Sequence, residues 1–500
     1  MTAGSLITLE HGNVDRMAFL TLNPQITHFK SVYKKHTNFA TQFITELPIG
    51  DTILQWGIEK TIQFKIPRNG DAMRDIYFTF ELPDIYSNKG YNFQWIKRIA
   101  EYMVKSVTIQ MDTAVIDTHY SEWFHAHAEL FLDDGHKKGY YKMIGHVSDL
   151  YDPANAPGNN GIYPQNPNFP SIVGRKMYLP LAFWFNKFSS MCFPLIAVQK
   201  TNVYITFTLR RLQELYTVID RDSTNYRVQP YAQTQYIGNF LNSTSTPTPP
   251  PAGTIAASTL NINATLEVNY VFLDNEERKR FALQSHDYLI NQLQLLNNKA
   301  TTTSGFQIDM RNFNKPVTQL VWMVRRTDME DVNDWSNFTN WNTPDIPPYS
   351  IGYINPNGPP LTITPTTLQY YKNKNLFKSA LLRLMTHEIT SGVNTNNDNG
   401  SIIDGKDSVF FNLMENFNSN ANMPDEGIYV YSFALDNTSL QPTGSVNFST
   451  INNKEMLLYL TKIAPTGYNG NSYNYNIYLF AVNYDILKVL GGMVATMTAN

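Results

Sequence analysis

The sequence predicts an all-β protein of two consecutive domains, and three observations predict it. Apolar residues recur with period two in segment after segment, which is the alternation of half-buried strands. Helical spacing is rare and confined to short stretches. At 500 residues the chain has room for two β domains of roughly 200–250 residues each, with one short helical pattern near its middle.

Composition then limits function. With 42% apolar and 16% charged residues, including 29 Phe and 30 Tyr, the chain can build extensive cores and is not disordered. The net charge of -3, from 39 basic and 42 acidic side chains, gives no global positive field to collect phosphates, so no direct nucleic-acid partner is expected. The lone Cys192 excludes an intrachain disulfide, and a large chain without disulfides fits cytosolic assembly better than secretion. The first residues, MTAGSLITLEHGNVDR, lack both a basic region and an apolar run, so they do not read as a signal peptide. The apolar tail 477–499 is broken by Asn483, Asp485 and Lys488 and alternates like a strand, so no membrane span is expected.

Taken in order, the stretch NPQITHFKSVYKKHTNFA comes first. Asn23 can cap, Pro24 suits a first helical position, and Ile26, Phe29, Val32 and Tyr33 share one face. That predicts a short amphipathic helix, with Phe29, Val32 and Tyr33 packed beneath the first domain and Lys30, Lys34 and Lys35 facing outward. A strand should start near Phe39. Trp56, Ile58, Ile62, Phe64 and Ile66 predict one strand ended by Pro67; Ile76, Phe78, Phe80 and Leu82 predict another ended by Pro83. Val203 to Leu209 and Leu266 to Phe272 alternate likewise, whereas 317–324 and 427–435 are dense enough in Val, Tyr and Trp to be covered on both faces. SEWFHAHAELFL reads as a second helix, with Trp123, His127, Leu130 and Phe131 at helical spacing, and NEERKRFALQ, acidic first and basic after, as a third. Polar Asn/Pro-rich inserts at 151–171, 242–254 and 342–360 read as exposed loops at the ends of β barrels. With about eight strands on each side of NEERKRFALQ, each half matches a jelly roll.

Chemistry-bearing motifs are weak. His125 and His127 frame an H-x-H beside Glu122 and Glu129, as in jelly-roll metalloenzymes of the cupin type, but residues two apart on a helix point away from each other. A surface or packing role is expected instead, with no metal ligand. GSIIDGKD, 400–407, has phosphate-loop spacing up to Lys406, but Asp407 stands where a hydroxyl should meet magnesium, so a polar turn is expected. Cys192 lies in an apolar setting that makes a thiol inert. Neither a catalytic set nor a cofactor site is expected. Sequons occur at Asn242, Asn263, Asn337, Asn399, Asn437 and Asn447, frequent by chance in an Asn-rich chain.

Five blocks in order carry a resemblance: NPQITHFKSVYKKHTNFA, LPLAFWFNKFSSMCFPLIAV, VFLDNEERKRFALQSHDYLINQLQ, GIYVYSFALDNTSLQPTGSVNFST and AVNYDILKVLGGM. Together they resemble the major capsid proteins of the nucleocytoplasmic large DNA viruses. The resemblance implies two consecutive eight-stranded jelly rolls with short helices: a base segment at 1–24, a first barrel at 25–275, a linker helix at 276–285 and a second barrel with tail at 286–500. It implies a homotrimer that approximates a hexagon in an icosahedral shell, contacts with neighbouring capsomers and minor capsid proteins, an inner viral membrane near the base, and assembly in host cytoplasm. A carbohydrate-binding β-sandwich is the alternative, since aromatic, Asn-rich loops suit it too.

Overall fold

A computed structural model describes residues 23–87, 90–164, 168–220, 227–242, 258–300, 306–350, 373–391, 393–394, 403–461 and 473–497. The chain divides into two compact units, Met1–Phe39 and Ala40–Asn500. In the first, the expected helix is absent. Residues 23–38 contain no helix and make a turn closed by a Thr27–Lys30 bridge, and Asn23 has φ 54°, whereas a helix cap needs extended backbone. The intended apolar face is bare: Ile26, Phe29, Val32 and Tyr33 are 76%, 88%, 86% and 87% exposed. A helix this short is marginal in water unless a packed face supports it.

The second unit carries two sandwiches in succession. Strands β1 (Phe39–Glu46), β2 (Lys60–Ile66), β3 (Ala72–Leu82), β4 (Val104–Met111), β5 (Ala114–Tyr120), β6 (Arg175–Pro180), β7 (Val203–Leu209) and β8 (Thr265–Leu273) form two antiparallel sheets, ordered β1-β8-β3-β6 and β2-β7-β4-β5. Strands β9 (His286–Ala300), β10 (Phe306–Asp309), β11 (Pro316–Arg326), β12 (Phe377–Leu384), β13 (His387–Glu388), β14 (Ile428–Ser432), β15 (Lys454–Leu460) and β16 (Tyr475–Leu490) repeat the pattern as β9-β16-β11-β14 and β10-β15-β12-β13. Adding eight to each strand number of the first half gives the second, so both halves wind their sheets in the same jelly-roll order.

The alternation that predicted these strands is the alternation that buries them. Ile62, Phe64 and Ile66 of β2 and Phe78 and Phe80 of β3 face one core, where Phe78 stacks on Phe207 at 4.4 Å. In the second half Trp322, Phe377, Phe411 and Tyr429 pack at centroid distances of 4.2 to 6.2 Å. The long closing strand β16 pairs with β9 from His286↔Val489 to Ala300↔Tyr475, so the tail belongs to the sheet. Among the described residues, no helix is long and apolar enough to cross a membrane.

One predicted strand divides. Gly57, at φ +77°, turns the chain, leaving Trp56 and Ile58 outside β2, while Ile53–Gln55 pairs with Thr259–Asn261. Four helices matter below: α1 (Ile99–Met103), α2 (Ser121–Phe131), α3 (Asp134–Met143) and α4 (Asn275–Leu283). Helix α4 starts with Glu276 and Glu277 and ends near Arg280, as its charge order predicts, and none of its residues is buried.

Candidate functional site

The chemistry of this chain concentrates around α2, because that helix is covered on two sides. Phe124 and Ala128 enter the first core, whereas Trp123, Ala126 and Leu130 join Val321, Met323, Val430 and Phe480 of the second half. This second cover explains why every residue of β11 after Pro316 is buried. Strand β5 adds to the same seam: Asp117 Oδ1 accepts from Leu293 N at 3.0 Å, and Gln292 donates to Ile116 O at 2.7 Å.

Charged groups lie inside this seam, and they are paired. Glu122 accepts from Arg325 at 3.1 Å, from Arg210 at 3.5 Å and from Ser121 at 2.9 Å. Burial alone would raise its carboxyl; the two guanidinium groups overturn that and hold it below its ordinary value. Arg325 also donates to Trp335 O at 3.0 Å, to Glu330 at 3.2 Å and to the Tyr478 hydroxyl. Its carbon centre lies 5.2 Å from the Trp335 ring, while that of Arg210 lies 4.1 Å away. On the far side of α2, Arg98 binds Glu101 at 2.6 and 3.0 Å and Glu129 at 2.9 Å, and both carboxylates receive tyrosine hydroxyls at 2.7 Å, from Tyr140 and Tyr141. Burial would raise Glu129, but Arg98 prevails and brings it to about 2. Removing one partner from such a set leaves an uncompensated buried charge, so the network holds a single geometry.

The residues singled out in the sequence fall in separate places. His125 Nδ1 meets the Tyr102 hydroxyl at 2.8 Å, whereas His127 lies among Trp123 and Phe131. His125 is buried, whereas His127 is half-buried beside these rings. Among the described residues, no group of three His, Cys, Asp or Glu side chains is placed to hold a metal ion. Of 400–407, residues 400–402 lie outside the described residues; Gly405 turns the chain at φ +106° and Lys406–Asp407 pairs with Ser379–Ala380. Burial pushes the Cys192 thiol up. Asn242, Asn263 and Asn447 are exposed, and Asn437 is half-buried. Asn399 lies outside the described residues. Asn337 is fully buried and donates to Trp341 O at 2.9 Å, so it has no room for a sugar.

The buried ion network was missed from sequence, although a signal was there: Arg325 and Arg326 close a run of apolar residues, and Glu122 and Glu129 sit on a helix with few other polar positions. A second feature is an exposed apolar margin. Strand β1 ends its sheet, and Phe43, Leu47, Ile49 and Ile58 are 52%, 73%, 55% and 60% exposed. An open edge with apolar side chains is a surface suited to association.

Comparison with known proteins gives one answer. The family described as major capsid protein N-terminus matches residues 27–274, and the large eukaryotic DNA virus major capsid protein family matches residues 277–495. The chain is 28% identical over 502 residues to the major capsid protein of Paramecium bursaria Chlorella virus 1, covering 96% of each chain. It is 26% identical over 568 residues to that of Phaeocystis pouchetii virus, covering 99% of each. Among solved structures it resembles a chain of the PBCV-1 virus capsid quasi-atomic model, with a TM-score of 0.65 and 26% identity over 95% of this chain and 100% of that one. The Faustovirus major capsid protein has the same fold at a TM-score of 0.61 and 13% identity, over 93% of each chain.

Proposed function

The chain belongs to the major capsid proteins of large eukaryotic DNA viruses, and from that premise we propose that three copies form a pseudo-hexameric capsomer that tiles an icosahedral shell. The observation that carries this is the strand order repeated within one chain. Two like sandwiches per chain and three chains give six like units, so a threefold assembly offers neighbours a nearly sixfold outline and a repeated contact set. The two family matches meet between residues 274 and 277, beside α4. This supports a division into a first barrel at 25–275, a linker helix at 276–285 and a second barrel at 286–500.

The β1 margin is the surface we assign to contacts between chains or capsomers, because it is apolar, exposed and at a sheet edge. Residues 1–22 lie outside the described residues. The segment after them leaves Lys30, Lys34 and Lys35 exposed beside bare apolar side chains, a composition that suits minor capsid proteins or the inner membrane at the shell base. Assembly then takes place in the host cytoplasm. Purified protein should scatter light as three chains of 57.2 kDa, and electron micrographs should show hexagonal outlines. The triple change Lys30→Gln, Lys34→Gln and Lys35→Gln should leave that mass intact and impair shell formation. A monomer that persists at high concentration would overturn the trimer, and a triple variant that builds normal shells would overturn the role of the base.

A further inference from the structure

A buried lysine in the second half stands between a carboxylate and a carboxamide. Lys315 Nζ donates to Asp485 Oδ2 and to Gln292 Oε1, each at 2.9 Å, and all three residues are buried. Both acceptors are pinned. Asp485 Oδ1 accepts from Ile486 N at 2.7 Å, which turns Oδ2 to the amine, and Gln292 Nε2 donates to Ile116 O at 2.7 Å, which turns Oε1 to it. Strand pairing sets their spacing: Ile290 lies opposite Asp485 and Gln292 opposite Asn483, so Gln292 and Asp485 are diagonal neighbours on one face of β9 and β16.

The backbone of Lys315 is strained as well. Its φ is 66°, left-handed, although a bulky residue ahead of a proline ordinarily adopts extended backbone. Its own N–H, donating to Ser449 Oγ at 2.8 Å, and its carbonyl, accepting from Phe448 N at 2.9 Å, hold it there. Strain kept in place from several sides is typical of positions where a side chain must be aimed. Burial of an amine does not by itself require this pair of partners: the buried Lys454 donates to two backbone carbonyls, Phe313 O and Phe448 O, at 2.7 Å.

An amine, a carboxamide and a carboxylate held together away from water are the parts of an amide exchange. We propose that Lys315 and Gln292 join in an intrachain isopeptide bond, with Asp485 moving the protons. Asp485 takes a proton from the ammonium, and the neutral amine attacks Gln292 Cδ, one bond of about 1.2 Å beyond the oxygen it already touches. The carbonyl electron pair moves onto Oε1. Asp485 then passes its proton to Nε2 and takes one from the attacking nitrogen; the bond from Cδ to Nε2 breaks, the carbonyl re-forms and ammonia leaves. One C–N bond replaces another, so the exchange needs no oxidant and no co-reactant. In the sheet order β9-β16-β11-β14 the bond runs from β9 to the residue that enters β11, and so clasps β16 between them.

Intact mass spectrometry of the purified full chain tests the bond, after mildly alkaline incubation to favour the neutral amine. The natural chain should be lighter than its sequence by one ammonia, and digestion should release a branched peptide that joins positions 292 and 315. Lys315→Arg and Gln292→Leu should each abolish the branched peptide, and Asp485→Asn, which keeps the shape but cannot carry the proton, should do the same. Because the first measurement is made on the natural chain, a variant that fails to fold leaves the test intact. A natural chain at full mass, or one that loses ammonia while 292 and 315 stay in separate peptides, would overturn the bond. A branched peptide that forms as readily in Asp485→Asn would overturn the role given to the carboxylate, and none of these results bears on the trimer.

Discussion

Lowering the pH from 7 to 5 should destabilise the folded chain through two imidazoles that the fold keeps neutral. Burial, reinforced by Lys187 and His119, pushes His127 down to about 3. Burial, reinforced by Arg98 and Lys97, does the same to His146. In the unfolded chain both titrate near 6.5. Above that pH neither state binds the proton, and the fold loses nothing. Between 6.5 and 3 the unfolded chain takes up protons that the folded chain refuses, so stability falls as pH falls. At pH 5 this amounts to at most about 2 kcal/mol per imidazole, or about 4 kcal/mol together. With an unfolding entropy of about 2.1 cal/mol/K per residue over a unit of about 460 residues, the melting temperature should drop by about 4 °C. Glu122 and Glu129, held below their ordinary value, add little between pH 7 and 5, because the stability they contribute is lost only as pH falls below the unfolded carboxylate value of about 4.3. Calorimetry at pH 7 and pH 5 on the natural sequence and on a His127→Gln/His146→Gln variant is the assay, with the pH-induced drop as the readout. His125, also held low by burial and Arg98, remains in both proteins as a common background. An equal drop in the two would refute the assignment.

Glycine positions give a paired test. Gly427 sits at φ +108°, and an added Cβ would lie 2.6 Å from Phe338 Cβ and 2.7 Å from its carbonyl oxygen. Gly427→Ala should therefore cost more than the roughly 1–2 kcal/mol of left-handed backbone alone, whereas Gly57→Ala, at φ +77° with open space around it, should cost only that. Denaturant midpoints compare them, and equal losses would refute the steric argument. Glu122→Ala should cost about 3–5 kcal/mol by leaving the buried Arg210 without a carboxylate and Arg325 with Glu330 alone; an unchanged midpoint would refute the pairing argument.

Strands were legible because their alternation is local. Ile76, Phe78, Phe80 and Leu82 needed only a core on one side, and either sheet order supplies one. Helix α4 was legible because its charge order acts within the helix itself. The opening stretch failed for the converse reason. Helical spacing of Ile26, Phe29, Val32 and Tyr33 says which face would be buried, not whether any surface exists to bury it. For α2 the spacing predicted the helix but not its second cover, since Val321 and Phe480 are about 200 and 350 residues away in sequence. The partner of Glu122 from the second half was hidden for the same reason, since Arg325 lies about 200 residues away in sequence.

That distance in sequence explains why the seam is ionic and not wholly apolar. Trp123, Val321 and Phe480 gain nearly as much from a slid or tilted contact as from the native one, because apolar burial has little directional demand. Glu122 does not. It is satisfied only where Arg210 of the first half and Arg325 of the second both reach it, and any other docking leaves buried charges bare at a cost of several kcal/mol. An all-apolar replacement could be as stable and still let the halves settle at a range of angles. In the three-chain tile proposed above, that angle would decide whether neighbouring edges meet. The Glu122 pairs tie α2 to Arg210 of the first half and to Arg325 of the second, so within one chain they favour the single docking in which both guanidinium groups reach the carboxylate.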